Sequence, residues 1–216
     1  MTNRLLLSVA VSSLSLNALA DHHKPKDGLL NKAPVVLAGI VAMEEFKGSF
    51  EANGAKLGSE LVGFNSKKVE EDAAVNVFNI PEANRLREAN YDCHFHSNDK
   101  GRVEAAHCHD DGASEARDYA ATQGSFSVEE FRQAAESAVR LFEKSLANPA
   151  SIEEAKLWRS HQGREANIQV KLAWKTPDGT AVTNFLYCHE HRHGEKTEID
   201  CHRQRNAGPN QPGYPS

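Results

Sequence analysis

The feature that most constrains the fold is a pattern of two cysteines, each followed by a histidine, that the chain writes twice. Tyr91-Asp92-Cys93-His94-Phe95-His96 returns 95 residues later as Leu186-Tyr187-Cys188-His189-Glu190-His191, and each stretch closes on a second Cys-His, Cys108-His109 and Cys201-His202. Other segments agree at the same offset. Phe50-Glu51-Ala52-Asn53-Gly54-Ala55 lies over Ser145-Leu146-Ala147-Asn148-Pro149-Ala150, and Val75 and Val77 lie over Val170 and Leu172. A turn at Pro81-Glu82-Ala83-Asn84 corresponds, one residue adrift, to Pro177-Asp178-Gly179. Several matches in one order predict a tandem duplication, with two copies making a pair of units rather than a solenoid.

Each copy predicts helix first and antiparallel strands afterwards, an α+β pattern. In the first, Val36, Ile40, Met43, Phe46 and Phe50 recur at helical spacing, and Leu57, Leu61 and Phe64 suggest a second, shorter helix. In the second, Ser127 and Glu130 form a capping box ahead of Phe131, Ala135, Ala138 and Phe142. Ser151 and Glu154 repeat that signal before Ile152, Ala155 and Trp158, predicting another helix. Ile168, Val170 and Leu172 alternate with Gln169, Lys171 and Ala173, and Thr176-Pro177-Asp178-Gly179 turns the chain into a strand from Val182 to His191.

The ends read differently. Residues 1–20 carry Arg4, an apolar stretch from Leu5 and the small-residue end Ala18-Leu19-Ala20, the pattern of a cleaved signal peptide. The expected organisation is therefore a signal at 1–20, a flexible segment at 21–34, a first α+β repeat at 35–109, a linker at 110–126, a second repeat at 127–204 and a disordered tail at 205–216. Val35 to Met43 is the later apolar run and is too short to span a bilayer, so no stable membrane anchor is expected. A periplasmic or secreted location follows from the leader. The net charge of −5 argues against a nucleic-acid partner, which calls for a basic face.

Export decides what the cysteines do: in an oxidising compartment they default to two disulfides, where a reducing one would favour a zinc site. Counting outward from a two-residue type II′ loop at Gly194-Glu195 pairs His193 with Lys196, His191 with Glu198, His189 with Asp200 and Cys188 with Cys201. The same count about Lys100-Gly101 pairs His96 with Ala105, His94 with His107, Cys93 with Cys108 and Asp92 with His109. A bulge at Gly101 would slip that register by one, setting Glu104 opposite His96 and misaligning the cysteines.

Alternation then sorts the faces. Tyr91, Cys93, Phe95, Ala106 and Cys108 share an apolar side, with Glu104 near the turn. Asp92, His94, His96, Ala105, His107 and His109 share the other. In the second hairpin Leu186, Cys188, Ile199 and Cys201 oppose Tyr187, His189, His191, His193, Glu198, Asp200 and His202. Clustered imidazoles on neighbouring strands suit zinc or copper. Glu198 and Asp200 stand where they could act as further ligands or orient the rings from behind, and Asp92 where it could orient them. Cleavage after Ala20 would leave Asp21-His22-His23, whose amine, amides and imidazole complete a square-planar set for Cu(II) or Ni(II).

The plainer reading makes these histidines solvated surface residues with ordinary cross-strand charge partners. His189-Glu190-His191-Arg192-His193 also matches the zinc-hydrolase pattern His-Glu-x-x-His, but that chemistry needs a helix where these flanks read as strand. The expected function is binding of Zn or Cu through histidine-rich hairpin faces, for buffering, delivery or sensing. The alternatives are a non-catalytic interaction or inhibitor module gripping another exported protein and, behind it, a metal-dependent hydrolase. The balance is towards a protein that is not an enzyme.

Overall fold

The computed structural model describes residues 28–52, 61–82, 85–113, 117–118, 127–145, 151–159, 167–194 and 196–203. The expected leader, Asp21-His22-His23 and the tail at 205–216 lie outside these. A short 3-10 helix, Leu29–Lys32, leads into α1, Pro34–Ala52. Strands β1 (Leu61–Val69), β2 (Asp72–Glu82), β3 (Arg85–Ser97) and β4 (Val103–Ala113) follow, with a two-residue strand β5 at Arg117–Asp118. Helix α2 (Val128–Ser145) opens the second half, which continues through β6 (Ser151–Arg159), β7 (Asn167–Lys175), β8 (Ala181–His193) and β9 (Lys196–Arg203). Among the described residues the molecule is thus α+β, mostly antiparallel sheet with two α-helices.

All the described strands belong to one sheet in the order β4-β3-β2-β1-β6-β7-β8-β9, with β5 paired to β3. The two halves meet where β1 runs antiparallel to β6, Phe64 opposite Leu157 and Ser66 opposite Ala155. Gly63 sits opposite Trp158 at this seam, and a Cβ there would lie 2.0 Å from the Leu157 carbonyl oxygen, so a side chain cannot be accommodated. Strand β4 continues past His109 to Ala113, so the first four residues of the expected linker are strand. Pro81 and Glu82 of the expected turn likewise belong to β2.

Both helices cover the same face. Phe64, Val75, Val77, Tyr91 and Cys93 from the first half and Leu157, Val170, Leu172, Leu186 and Cys188 from the second all point into one continuous core. Helix α1 is buried nearly all round over residues 35–40 because it lies between the sheet, α2 and the 3-10 helix. Its Val36, Ile40, Met43 and Phe46 are buried as the spacing predicts. Helix α2 is amphipathic and opens on the expected capping box: the Glu130 amide donates to Ser127 Oγ at 3.2 Å, and the Ser127 amide donates to Glu130 Oε2 at 2.6 Å.

Two expected helices are strands. Leu61 and Phe64 belong to β1, and Leu57 lies outside the described residues. Ser151, Ile152, Glu154, Ala155 and Trp158 belong to β6. The cause in β6 is a bulge: Ile152 pairs with Trp174 but Glu154 pairs with Ala173, leaving Glu153 as the extra residue. A bulge puts two residues three apart on the same face, and that spacing imitates a helix. Strand β1 has its own register shift between Leu61 and Gly63. Trp158, buried at 3%, lies on the sheet face away from the helices, a placement helical spacing would not give.

Candidate metal centre

The two disulfides are those the count pairs, Cys93–Cys108 and Cys188–Cys201, each with its Cα atoms 4.0 Å apart across a hairpin. Each lies against a small residue of its own half's helix. Cys93 and Cys108 sulfurs stand 3.9 and 3.6 Å from the Ala38 carbonyl oxygen of α1, and the Cys201 sulfur stands 3.5 Å from that of Ala134 of α2. With the sulfurs held under the helices, alternation sends the neighbouring histidines to the opposite, helix-free face.

The β8–β9 register is the expected one throughout: His193 opposite Lys196, His191 opposite Glu198, His189 opposite Asp200. Gly194 takes φ of +68°, as the first position of a type II′ loop requires. The β3–β4 register is also as counted at Asp92–His109, Cys93–Cys108, His94–His107 and His96–Ala105. Its turn differs. The Gly101 amide donates to the Asn98 carbonyl at 2.8 Å, the Asn98 amide to the Arg102 carbonyl at 2.9 Å, and Gly101 has φ of +72°. This slips the turn-proximal register, with Ser97 opposite Val103, and leaving Glu104 as an extra residue cancels the slip before His96. Asn98 Nδ2 donates to Glu104 Oε1 at 2.8 Å, tying that extra residue to the turn.

In the second hairpin, His189, His191 and His202 each offer a ligand nitrogen within 4.8 Å of the others. The His189 ring centroid is 5.7 Å from that of His191 and 4.5 Å from that of His202. Rings sharing one tetrahedral zinc stand with centroids about 5 Å apart, and the coordinating nitrogens about 3.3 Å apart. Modest rotation of the exposed His191 and His202 rings therefore closes the set. His193 stacks beside His191 at 6.3 Å and lies outside the group. Asp200 Oδ2 reaches to 3.9 Å from His191 Nε2, and Glu198, opposite His191 in register, is exposed. Tyr187, opposite His202 in register, meets His189 edge-on at 5.0 Å.

In the first hairpin the histidine faces are equally close, His107 to His109 at 4.5 Å, His94 to His109 at 5.7 Å and His96 to His107 at 6.5 Å. The group that converges to within 4.8 Å is different, however: Asp72, Asp92 and His94. Asp72 is absent from the sequence reading. It follows the two-residue β1–β2 turn, where Glu70 adopts φ of +53°, and it lies beside His94 because Ala73 pairs with Cys93. His94 Nδ1 is 3.0 Å from Asp72 Oδ2, and His94 Nε2 is 3.8 Å from Asp92 Oδ2. The outward side of β2 was the signal: Asp72 shares parity with the exposed Ala74, but only the β2–β3 register tells which β3 residue it meets.

His189 to His193 lies in extended β8, so the His-Glu-x-x-His residues never share a helix face and the hydrolase geometry is not formed. Glu190 points to the opposite side of the strand and accepts from Arg192 Nε at 2.9 Å, which raises the guanidinium's already high pKa. No helix among the described residues is long and apolar enough to cross a membrane. No protein-family model matches this sequence, and neither a curated protein nor a solved structure matches the chain.

Proposed function

We propose that the chain is an exported binder of Zn(II) or Cu(II), with His189, His191 and His202 as the principal ligands. The observation that carries this reading is the convergence of three imidazole nitrogens within 4.8 Å on a disulfide-closed hairpin. Imidazole donors suit both ions, and three protein ligands leave a position for solvent or for handing the ion on. Tyr187 packs edge-on against His189, and the Asp200 carboxylate lies beside His191. Two disulfides are at home in an oxidising compartment, in keeping with the leader-like residues 1–20 and a periplasmic or secreted location. The matched order of helix and strands about the β1–β6 seam, with each disulfide under its own helix, supports descent of the two halves from one duplicated unit. Asp21-His22-His23 would add a separate Cu(II) end if the leader is cut after Ala20.

The test is calorimetric titration of the untagged, EDTA-stripped chain with Zn(II) and with Cu(II). Replacing His189, His191 and His202 together by alanine should weaken binding of one equivalent at least 100-fold. Unchanged affinity in that variant, or no binding by the parent chain, overturns the reading. Binding should also weaken on acidification, because protons compete with the ion for the imidazole nitrogens.

A further inference from the structure

We propose that Asp92 and His94, oriented by Asp72, form a second cation site at the opposite edge of the sheet, one that takes a harder divalent ion of the Mn(II) or Fe(II) kind. The proposal extends the metal-binding reading but stands on its own residues, so either can fail alone. The argument begins with the two nitrogens of one ring. His94 Nδ1 lies 3.0 Å from Asp72 Oδ2, the distance of a donated hydrogen bond, which places the proton of a neutral imidazole on Nδ1. The lone pair then sits on Nε2, facing the Asp92 carboxylate oxygen at 3.8 Å. Two acceptors turned toward each other repel unless something positive stands between them. A second proton would serve, and so would a divalent ion.

Three details favour the ion. The carboxylate–imidazole pairing through Nδ1 is the arrangement by which proteins orient a ligating histidine and raise its basicity. Asp92 Oδ2 and His94 Nε2 at 3.8 Å are within about an ångström of the spacing of neighbouring ligands on one ion at 2.1–2.2 Å. The side chains of Asp92 and His94 are 54% and 46% exposed, leaving water free to fill the other positions. His109, opposite Asp92 in register and with its ring 5.7 Å from that of His94, is placed to supply a further imidazole. Carboxylate with imidazole and open positions is the donor set of Mn(II) and Fe(II), whereas the imidazole trio of β8–β9 is the softer of the two. The cation classes would thus be sorted between the two ends of one sheet.

Mn(II) is the probe, because its free-ion electron paramagnetic resonance signal disappears on binding. Titrated into the untagged, EDTA-stripped chain, one equivalent should bind. Asp92→Asn and His94→Ala should each abolish that equivalent, and Asp72→Asn should weaken it at least 10-fold. The chain lacking His189, His191 and His202 should retain it, which separates this site from the other. If Mn(II) is not bound, the proposal is overturned. Binding that survives both Asp92→Asn and His94→Ala, or that is lost with the β8–β9 histidines, overturns it equally. Circular dichroism of each variant, with intact disulfides, distinguishes a lost ligand from a lost fold.

Discussion

Asp178 shows how much one exposed side chain can organise. The Thr176 hydroxyl donates to its carboxylate, the Thr180 amide donates to the same oxygen at 3.2 Å, and the carboxyl is held below its ordinary value chiefly by the Thr176 bond. A carboxyl whose folded pKa is depressed stabilises the fold above its ordinary range, and that contribution is lost as pH falls through the folded value. The β7–β8 turn should therefore loosen only in acid below about pH 4. Hydrogen exchange at the Thr180 amide checks this: protection should fall with acid in the parent chain, and Asp178→Asn should make exchange faster at neutral pH and remove the acid step. These residues were legible as a turn because Pro, Asp and Gly each bias the backbone locally. The histidine faces were legible for a similar reason. A hairpin whose cysteines stand 13 or 15 positions apart has few registers that oppose them, and strand parity does the rest.

Helix α2 owes its start to residues within one turn of each other. Ser127 and Glu130 satisfy each other's amides, so Ser127→Ala should cost about 1 kcal/mol, read as a lowered midpoint in urea with an unchanged slope. The same two-residue signature misleads at β6. Ser151 stands three residues before Glu154 there too, yet the hydroxyl bonds the Glu153 carboxylate and the segment is strand. The local motif is weaker than the pairing of β6 with both β1 and β7, which satisfies the backbone on two sides. Bulges also explain the β1 and β6 misreadings, because each inserts a residue that breaks the alternation by which a strand is recognised. The bulge at Glu104 is more forgiving: it corrects a slipped turn and returns the cysteines to opposition.

Across the whole molecule the β1–β6 seam decides the architecture, turning a five-stranded first half and a four-stranded second half into one sheet with both disulfides and both histidine faces on a common layout. Gly63 is the seam's most sensitive point, since any side chain would meet the Leu157 carbonyl and Trp158 of the facing strand. Gly63→Ala should destabilise the protein by about 1–3 kcal/mol or more, with the loss read in thermal unfolding of the oxidised chain. Both hairpin registers should survive it, because the disulfides hold them independently.

By itself the sequence determined the two hairpins, their cystine pairing, the face on which the histidines gather and the start of α2, since each depends on residues close along the chain. Tertiary structure alone decided that the halves share one sheet, that residues 151–159 are strand and that Asp72 comes to 3.0 Å from His94. Those outcomes rest on which strands become neighbours, and pairing between distant segments is chosen by the packing of the whole core rather than by any local pattern.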